Sequence, residues 1–530
     1  MDGSGLGQYP KNQKLSEELK SKKEKKKKLS EEQDIIDGNN KNQKLSEELK
    51  SKKEKKKKLS EEQDIIDGKQ QMVRWEHLWK STPNLEFRQG LPAKRKLFMN
   101  FVERVLLLRD SSDIKRFTLC CDVLFDTSHV NAWISAAIWR NVQELEINLG
   151  NFKEPYSLPH CLFTSVALTK LVLGMPYTLK VPPTTCFSNL KTLGLRGIIF
   201  SDDYSTRQLF SGFPVLEVMN LYMCNWKNLK VASICAPKLL HLTIIERCYQ
   251  RRGDWDDCEV MIFGLVLKCF DYSGRFFNDY CFYNSCSLKE ANIDVQFSDE
   301  NPDESSCSLK GANIDVQLSD SSDVSSDEGS DESSDEGFDE RYRQGSVERS
   351  TQGSVERSTQ VAYRMYKLFR GLSTVQKLKL SFTAVEVLKP VEELLPHAPV
   401  FSNLMHLEFN GVPLGVDSVT LLKLLENFPY LETLAFLEGI YSNCENDDGI
   451  LDPVPPCFLS HLKCIKVCNY IGSGKQPSAM KILLKNAVVL DKMVFSYSNR
   501  FAQDCLKRRK ATEQLLEFPR GSKNCEFVFE

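Results

Sequence analysis

The sequence predicts an α/β fold, an irregular solenoid in which short parallel strands stack into one curved sheet. The motif Phe-Ser-Asn-Leu-x-x-Leu-x-apolar occurs at 187–195 and again at 401–409. Its last two apolar residues, such as Leu193 and Leu195, are two positions apart and share one face of a strand. A single strand of this kind cannot bury its own apolar face, so a recurring unit implies stacked neighbours.

The same apolar triplet recurs along the chain, and we use its first residue as a register mark. Within each of two blocks the marks are 21 to 31 residues apart. That is the spacing of leucine-rich repeats, whereas an ordinary α/β domain with leucine-rich strands would not keep one register over so many units. The thirteen triplets are Ile114/Phe117/Leu119, Val142/Leu145/Ile147, Leu168/Leu171/Leu173, Leu190/Leu193/Leu195, Leu216/Met219/Leu221, Leu239/Leu242/Ile244, Leu267/Phe270/Tyr272, Leu288/Ala291/Ile293, Val375/Leu378/Leu380, Leu404/Leu407/Phe409, Leu431/Leu434/Phe436, Leu462/Ile465/Val467 and Leu490/Met493/Phe495. Eight residues after the mark, where such repeats commonly carry Asn or Cys, only Cys224 fits, so we expect an uneven stack.

Helical spacing occurs between several of these strands. Residues 94–109 are basic and helical in pattern, and residues 126–140 carry apolar residues at helical spacing. Near the C-terminus, residues 479–490 predict an amphipathic helix and residues 525–529 an alternating strand. We expect this end to serve as the cap that a solenoid needs.

Two segments lack the apolar residues needed to pack into the array. Residues 11–38 recur without change as 41–68 and are dominated by Lys and Glu. Residues 319–340 are nearly all Ser, Asp and Glu. We therefore predict disorder over 1–68 and over 298–360, which interrupts the repeats.

The acidic segment contains two candidate phosphorylation sites. Ser325 and Ser333 each have an acidic residue three positions on, the pattern that acidophilic kinases read. Phosphorylation would add negative charge and make the segment a ligand for basic partners. The alternative is a spacer produced by tandem duplication, since exact repeats elsewhere in the chain show the same process.

The overall charge balance excludes some classes of partner. The chain has 70 basic and 72 acidic residues, a net charge of −2, and 41% of its residues are apolar. This gives no bulk reason to bind nucleic acid or an anionic membrane. Lysine runs at 25–28 and 55–58 could act in nuclear import or nucleic-acid binding, but interleaved glutamates favour a solvated tail.

The longest apolar run, near 260–270, is far shorter than the ~20 residues of a membrane span. We expect an intracellular protein, in the nucleus, the cytoplasm or both, with its eighteen cysteines reduced.

No residue pattern in the chain predicts catalysis, a cofactor or a metal site. The seven histidines fall singly, and no H-x-x-x-H or C-x-x-C pair occurs. The Gly-Ser-Gly-Lys stretch at 472–475 lacks the spacing of a phosphate-binding loop and predicts a plain loop between a strand and a helix. Cys120, Cys121, Cys464 and Cys468 are interpreted as core thiols. We therefore expect a binding protein and not an enzyme.

A short apolar helix precedes the repeats. Trp75, Leu78 and Trp79 share one helical face, and the helix must end before Pro83. Residues 73–87 resemble the last part of the plant F-box, an R-W-x-x-L-W helix followed by a P-x-L-x-F strand. The L-P-x-x-[LI]-[LI]-x-x-I-L core that precedes this part in the family is missing upstream of the helix.

The C-terminal region resembles the FBD domain that follows the repeats in plant F-box proteins. Its specific features are an L-L-K-N-A-x-x-L-[DE]-K-M run at 483–493 and a closing L-L-x-F-P-R-x-S-x-x-C-x-[FV]-x-F pattern at 515–529. With the F-box tail and the repeats, the chain resembles the plant F-box/FBD/leucine-rich-repeat family over 69–297 and 361–530. The predicted division is 1–68 disordered, 69–90 F-box remnant, 91–297 repeats, 298–360 acidic insertion, 361–452 repeats and 453–530 FBD cap.

This resemblance implies a protein-interaction module that acts as the substrate-recognition subunit of an SCF-type ubiquitin ligase. The repeats would bind an unidentified target protein. The family's contacts with its Skp-type adaptor lie in the missing helices, so we expect weak or absent adaptor binding. Two other hypotheses stay open: nucleic-acid association through the lysine runs, which the net charge does not favour, and a non-functional product of a duplicated gene.

Overall fold

The computed structural model describes residues 79–90, 94–246, 257–296, 356–443, 449–498 and 505–530. Two compact units are distinguished, Met1–Lys80 and Ser81–Glu530. In the first unit Trp79 and Lys80 are described, and both are helical. The helix ends there, before Pro83, as the sequence predicts.

The second unit is built around one long parallel sheet. In chain order the strands are β1 (Asn84–Arg88), β2 (Arg116–Leu124), β3 (Glu144–Phe152), β4 (Lys170–Gly174), β5 (Thr178–Leu179), β6 (Thr192–Arg196), β7 (Ile199–Phe200), β8 (Val218–Tyr222), β9 (Val231–Ile234), β10 (His241–Ile245), β11 (Glu259–Phe263), β12 (Cys269–Gly274), β13 (Asp279–Tyr283), β14 (Glu290–Val295), β15 (Lys377–Ser381), β16 (His406–Asn410), β17 (Leu414–Gly415), β18 (Thr433–Phe436), β19 (Ile440–Tyr441), β20 (Cys464–Tyr470), β21 (Lys492–Tyr497) and β22 (Glu526–Phe529). The main sheet has fifteen strands in the order β1-β2-β3-β4-β6-β8-β10-β12-β14-β15-β16-β18-β20-β21-β22. Its spatial order therefore follows chain order, which is the topology of a solenoid. The remaining strands form smaller sheets, β9 with β11 and β13, β5 with β7, and β17 with β19.

The predicted register is confirmed strand by strand. The middle residues of the triplets pair directly across the sheet, from Phe117 with Leu145 through to Ile465 with Met493. The thirteen marks are at most 2% exposed. Each repeat thus buries three apolar side chains, and all of them except Ala291 are large side chains whose burial is worth about 1.5–3 kcal/mol each before the cost of ordering the chain. No repeat could bury them without its neighbours.

Helices pack on one side of the strands. They are Arg95–Leu108, Thr127–Trp139, Asp203–Ser211, 356–370, Phe382–Val387, Val419–Leu425, Pro456–Ser460, Gln476–Asn486 and Cys505–Glu517, with 3-10 turns at His160–Thr164 and Lys389–His397. The first two confirm the helices predicted over 94–109 and 126–140. None of the helices in the described ranges is long and apolar enough to cross a membrane.

One helix differs from its predicted bounds of 479–490. It runs over Gln476–Asn486 and begins with Pro477 in its first turn, where the missing N–H of proline costs no hydrogen bond. It ends early because Leu490 is the next register mark and already leads into β21. The loop predicted at 472–475 lies between β20 and this helix.

The array continues across the interruption. Strands β14 and β15 are direct neighbours, with Ala291 opposite Leu378 and Ile293 opposite Leu380. Residues 297–355 lie outside the described residues, but the helix 356–370 that follows them is described. The predicted end of the insertion at 360 is therefore too late, because residues 356–360 are already helical.

Polar contacts fasten this helix to the earlier repeats. Arg364 is 5% exposed, and its guanidinium donates to the backbone carbonyls of Phe276, at 3.0 Å, and of Phe277 and pairs with Asp257. One turn on, the ammonium of Lys367 lies 2.8 Å from the carboxylate of Asp279. The second block of repeats is thus tied to the first by side chains as well as by the sheet.

A buried carboxylate shapes the turn after β12. Glu246 is 5% exposed and accepts hydrogen bonds from the hydroxyls of Tyr272, at 2.8 Å, and Tyr280, at 2.7 Å. The backbone N–H groups of Arg275 and Phe277 also donate to it, at 3.0 and 3.1 Å. A buried carboxylate is tolerated only with such a full set of donors, so this cluster is structural.

The C-terminal motifs close the end of the sheet. Ser522 donates its hydroxyl to the carbonyl of Leu490 at 2.7 Å, and Arg520 lies over the ring of Phe527, 4.1 Å from its centroid. Asn486, 6% exposed, donates to the carbonyl of Gly449 at 2.8 Å. These contacts explain several polar residues in the two C-terminal motifs.

The predicted internal boundaries do not separate compact units. The second unit begins at Ser81, so β1, expected in the F-box remnant at 69–90, pairs with β2 as the first strand of the array. Strands β20, β21 and β22, which lie in the predicted FBD cap, continue the same sheet beyond residue 452. Parallel pairing, and not an interface between domains, joins these regions.

We expect Arg364→Leu to lower the free energy of unfolding by about 3 kcal/mol, since two buried carbonyl groups lose their donor. Arg370→Leu is the matched control, because Arg370 is an exposed arginine on the same helix. It should change stability by less than about 0.5 kcal/mol. Urea unfolding of both variants measures the difference, and equal effects would contradict the anchoring role of Arg364.

We also expect residues 300–352 to be dispensable for folding. Replacing them with a Gly/Ser linker of about twenty residues should leave the melting temperature within a few degrees of wild type, because loop closure depends only weakly on loop length. Differential scanning calorimetry tests this. Loss of cooperative unfolding would show that the insertion contributes to the array.

Candidate interaction surface

The side of the main sheet opposite the helices carries the outward side chains of every strand. We call this surface the open face. Its central row contains the residue between the two inward residues of each strand: Glu86, Thr118, Glu146, Val172, Gly194, Asn220, Thr243, Asp271, Asn292, Lys379, Glu408, Ala435, Lys466, Val494 and Val528. Acidic, basic, amide, hydroxyl and small apolar residues are mixed along this row in no regular order. The open face therefore has no single dominant charge.

The first cluster on the open face is organised by Arg196. Arg196 on β6 stands opposite Gly174 on β4 and Tyr222 on β8. Its guanidinium lies over the Tyr222 ring, 5.5 Å from the centroid, and its Nη1 is 3.9 Å from Oε1 of Glu146 on β3. Asn148 donates to the same carboxylate oxygen at 3.3 Å. We call these five residues the Arg196 cluster.

The glycine in this cluster leaves room for the side chain of Asn148. A Cβ at Gly174 would collide with Oδ1 of Asn148, whereas it would lie 3.7 Å from Cβ of Arg196, an ordinary contact. Without a side chain there, Asn148 can hold the position from which it donates to Glu146. Desolvation raises the pKa of the Tyr222 hydroxyl, with Arg196 opposing, so the hydroxyl stays neutral at physiological pH. The cluster offers a partner a cation, a carboxylate and a neutral hydroxyl.

A second cluster lies on the first two strands after the interruption. On β15 and β16, the ammonium groups of Lys379 and Lys377 lie 2.8 and 3.2 Å from the two carboxylate oxygens of Glu408. Desolvation disfavours the charged carboxylate, but the two lysines more than compensate and hold the pKa of Glu408 below its ordinary value of 4.5. We call these three residues the Glu408 cluster. Glu290 on β14 stands opposite Lys377, so residues of both charges meet on this part of the open face.

The sequence-predicted site residues fall mostly outside the described residues. Trp75 and Leu78 of the F-box face, and the candidate phosphorylation sites Ser325 and Ser333, lie there. Trp79 is described, is helical and is half-buried. The lysine runs near the N-terminus also lie outside the described residues.

The cysteines interpreted as core thiols divide between the two sides of the sheet. Cys121 is buried, but Cys120, Cys464 and Cys468 are half-buried on the open face. The interpretation is therefore wrong for three of them, because each stands an even number of residues from an outward position of its own strand. Across the described ranges, no group of three or more His, Cys, Asp or Glu side chains is arranged to hold a metal ion.

The residues of the open face were not singled out from the sequence. They occupy the second, fourth and sixth positions after each register mark, so the repeat register gives their positions. It does not show which of them contact one another. The glycine at 174, next to a long outward arginine one strand away, is the signal that could have pointed to the Arg196 cluster.

Two protein-family models match the chain, one over part of the repeats and one over the C-terminal region. One is described as the leucine-rich repeats of the FBD-associated F-box protein At5g56370 and matches residues 130–253. The other is the FBD domain and matches residues 452–495, which include β20, the helix Gln476–Asn486 and most of β21.

Relatives extend the similarity over most of the chain. The F-box/FBD/LRR-repeat protein At5g56420 of Arabidopsis thaliana is 25% identical over 467 residues, which cover 86% of this chain and 92% of the relative. The resemblance to plant F-box/FBD/leucine-rich-repeat proteins is confirmed. A putative F-box/FBD/LRR-repeat protein of the same plant, At3g59240, is 27% identical over 81% of this chain and 79% of its own length. The F-box/FBD/leucine-rich-repeat proteins are named for repeats and interaction domains, and the similarity indicates a role in protein interaction.

The Glu408 cluster should give stability a defined pH dependence. A lowered carboxyl pKa contributes stability above the unfolded pKa of about 4.5, and this is lost as the pH falls through the folded pKa. We expect Glu408→Gln to cost at most about 1 kcal/mol at pH 7, because the pair is partly exposed, and less at pH 3. Urea unfolding of wild type and variant at both pH values measures this. A difference that does not change with pH would contradict the ion-pair contribution.

Proposed function

We propose that this protein is the target-recognition subunit of an SCF-type ubiquitin ligase and binds its target through the open face. The observation that carries the proposal is the uninterrupted fifteen-stranded sheet with helices on its other side. Such a sheet presents a broad, rigid surface of outward side chains, the usual means by which repeat arrays hold another protein.

The composition of the open face supports a protein partner. The Arg196 cluster combines an arginine with a tyrosine, two residue types enriched where protein interfaces are strongest. The rest of the face mixes both signs of charge, so it would discriminate between partners by pattern and not by bulk attraction. A binding role also fits the names of the relatives.

The adaptor side of the proposal depends on the F-box. We propose that the remnant around Trp75, Leu78 and Trp79 binds a Skp-type adaptor weakly or not at all, because the preceding F-box core is missing from the sequence. The protein would then bind targets without delivering them efficiently. We place it inside the cell, in the nucleus, the cytoplasm or both, and we propose no catalytic activity of its own.

Target binding is tested by proximity labelling with the full chain fused to a biotin ligase in plant cells. The open-face variant Arg196→Glu/Lys379→Glu should lose a reproducible subset of labelled proteins. The control variant Tyr204→Ala/Arg370→Glu changes exposed residues on the helical side and should keep that subset. Labelling that is identical for both variants and wild type would refute recognition by the open face.

Adaptor binding is tested by co-purification. The full chain and the relative At5g56420 are each co-expressed with a Skp-type adaptor, and the ratio of adaptor to bait is measured in the purified material. We expect a stoichiometric ratio for the relative and less than a tenth of that ratio for this chain. Co-purification of a stoichiometric amount of adaptor with the 530-residue chain would refute this part of the proposal.

A further inference from the structure

A groove of about 380 Å³ lies at the N-terminal ends of strands β4, β6 and β8, along the border of the main sheet that these strand ends form. We call it the edge groove. Its lining comes from residues just before or after the register marks of successive repeats, among them Val166, Asn189, Lys191, Glu217 and Lys238. The volume is within the range of sites that bind small ligands or peptide side chains.

Two of the residues that line the edge groove are apolar. Val166 is 69% exposed although it lies only two residues before a fully buried mark, and Val215 lines the groove just before β8. The side chain of Asn189 donates to the carbonyl of Val166 at 2.8 Å and fixes the rim beside Val166. An aliphatic group placed here would remove exposed apolar surface from water, which is favourable.

The charged residues of the groove leave an excess of positive charge. Lys191 pairs with Glu217 at 3.2 Å, which balances one of the two lysines. For Lys238, also exposed, no ion-pair partner occurs among the described residues. A carboxylate is the complementary group for Lys238.

Two backbone carbonyls of the groove are already paired within the main sheet. The carbonyl of Thr169 accepts from the N–H groups of Lys191 and Thr192, and the carbonyl of Lys191 accepts from those of Glu217 and Val218. These carbonyls are not available to an added strand, which would need free backbone groups. Recognition through the side chains of the groove does not depend on such groups.

We propose that the edge groove binds a linear segment of the target protein in which an aliphatic side chain stands next to an aspartate or glutamate. The aliphatic group packs on Val166 and Val215, and the carboxylate pairs with Lys238. This inference rests on the proposed function and specifies one part of the target that the repeats would recognise.

The test uses random twelve-residue peptides displayed on phage and selected on the immobilised full chain, with a blocked surface as background. Enriched peptides should carry an aliphatic residue within two positions of Asp or Glu. A fluorescent copy of the most enriched peptide should bind Val166→Asp and Lys238→Glu at least about tenfold more weakly than wild type, a loss of about 1.4 kcal/mol. A copy with Asp and Glu changed to Asn and Gln should lose binding to the same extent.

Matched controls come from a neighbouring repeat. Leu265 is 57% exposed and, like Val166, lies two residues before a register mark, and Lys268 is exposed at the same edge. Leu265→Asp and Lys268→Glu should bind the peptide as wild type does. No enrichment, enriched peptides without acidic residues, or equal losses in groove and control variants would each overturn the proposal.

The same assay separates this proposal from target recognition in general. Peptide binding that is lost in Arg196→Glu/Lys379→Glu but kept in both groove variants would overturn the edge groove and leave the open face as the binding surface. Proximity labelling that no variant changes would instead refute the proposed function itself.

Discussion

Alignment of apolar side chains across neighbouring parallel strands is the interaction on which the whole molecule depends. Each repeat contributes a mark and two strand residues, and their burial requires the repeat on either side. The pairing of Leu171 with Leu193 and of Leu193 with Met219 shows how one residue serves two interfaces. A solenoid of this kind has no separate core for each domain, so its stability is a sum over neighbouring repeats.

This constraint explains how the array accommodates a long interruption. Strands β14 and β15 still pair in register, and Arg364 and Lys367 hold the following helix against the preceding repeats. The cost of closing a longer loop rises only slowly with its length. An insertion between two repeats is therefore tolerated as long as the strands on both sides keep their apolar triplets.

Much of the fold could be predicted from the sequence because it follows from periodicity. The thirteen marks, the parallel order and two helices at the start of the array all follow from apolar spacing. The hydrogen bonds of Glu246 and Arg364 could not be predicted. Their partners lie a whole repeat or more away in the sequence, and the residues next to Glu246 and Arg364 give no sign of them. The open face was predictable in position but not in chemistry, because the register does not show that Arg196 meets Glu146 two strands away or that Asn148 needs the space left by Gly174.

The repeats on both sides of the interruption form one continuous sheet, and a disulfide across β14 and β15 tests this continuity most directly. Asn292 faces Lys379 in the register, and neighbouring parallel strands are close enough for a disulfide. The double variant Asn292→Cys/Lys379→Cys is oxidised and cut at a protease site introduced within 319–340. We expect the two fragments to stay linked in a non-reducing denaturing gel, whereas Asn292→Cys/Ser381→Cys, offset by two residues, should link poorly. Fragments that separate without reduction, or that link equally well with the offset pair, would contradict a continuous sheet in this register.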